Sequence, residues 1–72
     1  MEYTAEITIT TEILENYRAD RIADEKAMLE LAQKHNLQEG IGIHGRQISR
    51  LHLASYKELF RWFVMDAAEK YA

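Results

Sequence analysis

The sequence predicts a small α+β domain ordered strand, helix, strand, strand, helix, with the helices on one face of a three-stranded antiparallel sheet. Three observations lead there: an alternating start over residues 2–10, an amphipathic stripe over residues 56–71, and a glycine-rich stretch between them that reads as a turn. Length bounds the rest, because 72 residues leave room for one core, so residues 1–72 are expected to form a single compact domain. A domain of this size hides only about 60% of its unfolded surface, which makes a partner or a second copy a natural source of further stability.

The first strand rests on Tyr3, Ala5, Ile7 and Ile9, which alternate with Glu2, Thr4, Glu6, Thr8 and Thr10 at the period of a half-buried strand. A helix follows from Thr11 to about His35, capped by Thr10 or Thr11, with Glu12 and Glu15 near its positive end. Ile13, Leu14, Tyr17, Ile22, Met28, Leu29 and Ala32 share one broad face, but Arg21 and Glu25 fall near its middle. That interruption implies either a bend near Asp20 or an i,i+4 pair at the edge of the core.

Asn36 and Gly40 are natural left-handed terminators, and Ile41 and Ile43 then alternate with Gly42 and His44. A hairpin turning near Gly45-Arg46 and returning through Ile48 to Leu53 is the expected reading, since a lone first strand needs partners. Ile48, Leu51, His52 and Ser55 also fit a helical face, so the alternative is a mostly α chain with one N-terminal strand. Ser55 to Glu58 forms a capping box. The helix it opens places Tyr56, Leu59, Phe60, Phe63, Val64, Ala67 and Tyr71 on one stripe, with Phe60 near its centre.

Several function classes fall away. There is no cysteine, so neither a disulfide framework nor a thiolate metal site is available, which fits a reducing, cytoplasmic setting. No apolar run approaches the roughly 18 residues of a membrane span, and the first residues lack the basic start of a signal peptide. Gly40-Ile41-Gly42-Ile43-His44-Gly45 matches G-x-G-x-x-G, but a helix precedes it where a dinucleotide site needs a strand. His35, His44 and His52 are spaced nine and eight residues apart and fit no compact metal-ligand motif. Ser49 has no nucleophile elbow around it, and Asp20 and Asp24 read as solvated charges one turn apart. The expectation is therefore a non-enzyme with no cofactor, no metal and no small-molecule substrate.

Two binding readings remain. The charge is uneven: residues 1–30 carry eight acids against Arg18, Arg21 and Lys26, whereas residues 31–72 carry six bases against Glu39, Glu58, Asp66 and Glu69. Arg46, Arg50 and Lys57 give a nucleic-acid reading in which residues 47–50 open a recognition helix supported by residues 24–35. Against it stand the net charge of -3 and a ten-residue gap, long for a helix-turn-helix. The preferred reading is a protein-docking or dimer surface on the last helix, the alternative being that another part of the chain folds over Trp62 and makes it core. Trp62 and Met65 lie about 140° or more from the centre of the expected stripe, beside Glu58 and Glu69 and next to Arg61. Exposed Trp, Met and Arg with a charged rim are what a docking surface contains. In size and lack of catalytic equipment the chain is similar in style to the small inhibitors and regulators carried by phages and mobile elements, anti-CRISPR proteins among them. The likeness is one of size, and no motif carries it.

Overall fold

A computed structural model describes residues 9–70. They form three helices, α1 (Thr11–Lys34), α2 (Gln38–Leu53) and α3 (Tyr56–Lys70), and 89% of them are helical. Among the described residues there is no strand, so the α+β class and its three-stranded sheet are replaced by an all-α fold. The expected first strand lies almost wholly outside the described residues. The expected hairpin does not form: residues 41–53 belong to α2.

Local chemistry accounts for each boundary. The Thr10 hydroxyl accepts the Ile13 N–H at 3.3 Å and caps α1, with Glu12 in its first turn and Lys34 in its last. α1 runs through Asp20 as one unbroken helix. Arg21 and Glu25 instead form the i,i+4 pair, 3.3 Å apart. At the far end Asn36 turns left-handed, with φ 56°, and the Leu37 N–H reaches back to the Ala32 carbonyl at 2.8 Å, which closes a Schellman motif. Extended Ala54 ends α2, and the Ser55 hydroxyl then accepts the Glu58 N–H at 3.2 Å to open α3.

α2 runs back along α1. Gly40 lies against Ala32, His44 against Glu25, and Leu51 and His52 against Arg18. A Cβ on Gly40 would sit 3.1 Å from that of Ala32, so glycine is what allows the two backbones to approach there. α3 lies in the same sense as α1 and covers only its first half: Leu59 packs with Leu14, Phe63 and Asp66 reach Tyr17, and Lys70 borders Asp20 and Asp24.

The resulting body is long and thin. Its extents are 56 × 25 × 14 Å, and its radius of gyration is 15.2 Å, against about 11 Å for a compact chain of this length. Leu14, Ala54 and Leu59 form the core cluster, with Ile9, Tyr17, Trp62 and Phe63 packed around it. The inward face of α3 is therefore centred near Leu59 and Asp66, about 80° around the helix from the expected stripe. Phe60 and Val64, expected in the core, are 48% and 43% exposed.

Candidate functional site

Where α3 meets the α1·α2 hairpin, side chains from all three helices line a cleft of about 220 Å³. α1 supplies Tyr17 and Arg21, α2 supplies Gln47, Arg50 and Leu51, and α3 supplies Trp62 and Asp66. The Tyr17 ring meets Phe63 edge-on, at 84° with centroids 5.5 Å apart, and its hydroxyl donates to the Asp66 carboxylate. Partial burial, reinforced by hydrogen bonding to Asp66 and by its charge, pushes Tyr17 up to about 12. The phenol therefore stays protonated as a donor, and Asp66 is occupied by it.

Arg50 has a different role. Its guanidinium lies over the Trp62 ring, 5.8 Å from the centroid, and forms no ion pair among the described residues. Arg21, by contrast, is tied to Glu25, whose second oxygen accepts from His44 Nδ1 at 2.6 Å. The Arg21-Glu25-His44 chain lies between α1 and α2, where Glu25 is buried, and holds Arg21 at the cleft wall.

The expected docking residues are partly brought together. Glu58, Trp62, Met65 and Glu69 run along one edge of α3, but Trp62 is turned inward onto the core cluster while Met65 stays 59% exposed. Trp62 is thus both a packing residue and a cleft wall. Arg61 is exposed a quarter-turn further round, away from the cleft. Of the nucleic-acid candidates, Arg46 and Arg50 are exposed one turn apart on α2, whereas Lys57 lies about 140° around α3 from Trp62. α1 and α2 form an antiparallel hairpin across a three-residue connection, not a recognition helix set across a supporting one.

The sequence reading missed Tyr17, Arg21, Gln47 and Asp66 as cleft residues. The signal in reach was the polar interruption at Arg21 and Glu25, which marks the place where α1 meets polar side chains of its neighbours. The chemistry is limited. The cleft is smaller than the roughly 300 Å³ lower bound of small-molecule sites, so it matches one inserted side chain in scale. Among the described residues no group of three His, Asp or Glu is placed to hold a metal ion, and no helix is long and apolar enough to cross a membrane. Compared with known proteins, the chain matches no family model, no curated protein and no solved structure.

Proposed function

We propose that this chain is a stoichiometric protein-docking module, an inhibitor or regulator without catalysis of its own, whose cleft receives an acidic side chain of a partner protein. The observation that carries the reading is the convergence of Trp62, Tyr17, Arg21 and Arg50 on one side-chain-sized cleft. Trp, Tyr and Arg dominate the few residues that supply most binding energy at protein interfaces. Among the described residues the Arg50 guanidinium has no ion-pair partner and lies over an aromatic face, a pairing suited to a carboxylate once both are shielded from water. Met65, Glu58 and Glu69 provide the mixed rim around it.

The test is capture by the immobilised 72-residue chain, wild type beside Arg50→Glu, with and without nuclease. Arg50 is exposed, so the charge reversal spares the fold, as circular dichroism would verify. A protein retained by the wild type after nuclease and lost by at least about 2 kcal/mol in Arg50→Glu is the expected outcome. Recovery of nucleic acid alone would replace this reading with the DNA-binding one built on Arg46 and Arg50.

A further inference from the structure

The break between α2 and α3 has no stop signal in its sequence. Leu53-Ala54-Ser55-Tyr56 contains neither glycine nor proline, and alanine is the best helix former of all. Ala54 already has a helical φ of -64°, and its ψ of 133° is what turns the chain aside, where a helix has about -42°. Ser55 marks the start of a helix, but nothing there stops α2. What keeps the two helices apart therefore lies elsewhere in the fold.

Arg18 does this from α1. In a helix continuing past Leu53, the Ser55 and Tyr56 N–H groups would bond the carbonyls four residues back, which belong to Leu51 and His52. Those are the two carbonyls that Arg18 Nη1 occupies, at 2.8 Å each. The guanidinium thus satisfies the end of α2 in place of the backbone of α3. It does so at a cost, since its Nε is buried without a partner and α3 must be capped afresh by Ser55.

A single helix over residues 38–70 also has one usable face. Counted at 100° per residue, the sides of α2 and α3 that meet α1, centred on Leu51 and on Leu59 with Asp66, lie only about 70° apart. Such a helix cannot place both halves on its own α1, because α2 runs antiparallel to α1 and α3 parallel to it. Its α3 half would reach instead the Leu14 and Tyr17 seat of a second copy whose α1 points the opposite way. A two-fold axis supplies that orientation and returns the exchange.

We infer that Arg18 is the lock of a conformational switch: when it releases the Leu51 and His52 carbonyls, α2 and α3 join as one helix and α3 exchanges between two copies. Each cleft is then rebuilt with Trp62 and Asp66 from the second copy. The inference does not depend on what the cleft binds.

Sedimentation equilibrium of the 72-residue chain across a wide range of concentration tests it. The wild type is expected as a monomer at micromolar concentration. Arg18→Ala is expected to tighten dimerisation by about a hundredfold, tenfold for each copy that loses its charged hydrogen bonds. Ser55→Ala removes the cap of α3 at an exposed position and shifts the mass in the same direction by a smaller factor, so the test stands even where Arg18→Ala folds poorly. Tyr56→Pro separates exchange from any other contact between copies. As the first residue of α3 the position suits proline, whereas inside a continuous helix proline loses the bond to the His52 carbonyl and clashes with it. Added to either variant, it is expected to restore the monomer. Both variants monomeric at every concentration, or a dimer whose mass Tyr56→Pro leaves unchanged, overturns the inference.

Discussion

The α1·α2 hairpin and the seat of α3 are built by different means. Between α1 and α2 the contacts are small or polar: Gly40 on Ala32, His44 on Glu25, and Arg18 Nη1 donating to the Leu51 and His52 carbonyls at 2.8 Å each. Each of these fits only one alignment of the two helices, so together they fix register. α3 is held by apolar burial of Leu59, by Phe63 on Tyr17, by the hydrogen bond from Tyr17 to Asp66, and at its exposed start by the Tyr56 hydroxyl beside Glu15. Polar contacts specify where α2 lies, whereas the position of α3 depends on a few buried carbons.

The sharpest way to break this contrast is Leu59→Ala. Leu59 is fully buried, and truncation should cost about 2 to 5 kcal/mol, enough to release α3 while the hairpin keeps its register. Trp62 emission would shift to the red before most helicity is lost. Simultaneous loss of both signals would mean that the two regions are not separable.

A smaller effect is expected from Arg18→Ala, which removes both carbonyl contacts from the end of α2. Hydrogen bonds from a charged donor are worth about 1.5 to 3 kcal/mol, and the lower end applies because Arg18 Nε is buried without a partner. Arg18→Lys should restore only part of the loss, since Nη1 bonds both carbonyls while Nη2 pairs with Glu15, and a single ammonium cannot serve all three acceptors from one position. Amide exchange at the C-terminal end of α2 would reveal it, and full rescue by lysine would reduce Arg18 to a charge beside a helix end.

The smallest effect concerns Tyr17. Its folded pKa is raised from 10.0 to about 12, so the stability it contributes is complete below pH 10 and is lost as pH rises from about 10 to 12. Tyr17→Phe should unfold less steeply over that window while losing about 0.5 to 1.5 kcal/mol at neutral pH through the missing bond to Asp66. Parallel alkaline melts for the two proteins would show the phenol to be irrelevant to α3 docking.

The same contrast explains what the sequence disclosed. Caps are local, so Thr10, Asn36 and Ser55 were legible from residue type and spacing. The type of α2 was not, because Gly40, Gly42 and Gly45 imitate a turn when read alone, each costing a helix up to about 1 kcal/mol relative to alanine. Only Gly40 repays that cost visibly, through the close approach to Ala32; nothing in the structure explains Gly45. The rotation of α3 was misread because Phe60 and Trp62 are both large and apolar, and which of them turns inward is decided by packing on Ala54 and on Leu14, the latter far away in sequence. The cleft inherits that difficulty. Trp62 stood out alone, but its neighbours come from three helices whose packing is not written in any one of them.

Arg18 also sets a timetable. The carbonyls it holds belong to residues 51 and 52, so every polar tie between α1 and α2 is complete before α3 has been synthesised. At about 5 to 20 residues per second, the fifteen residues of α3 follow within about one to three seconds. The hairpin's polar ties therefore do not depend on α3, and they leave a socket around Leu14 and Ala54 into which it can dock. Of the large apolar side chains of α3, Trp62 and Phe63 are the two that this socket receives.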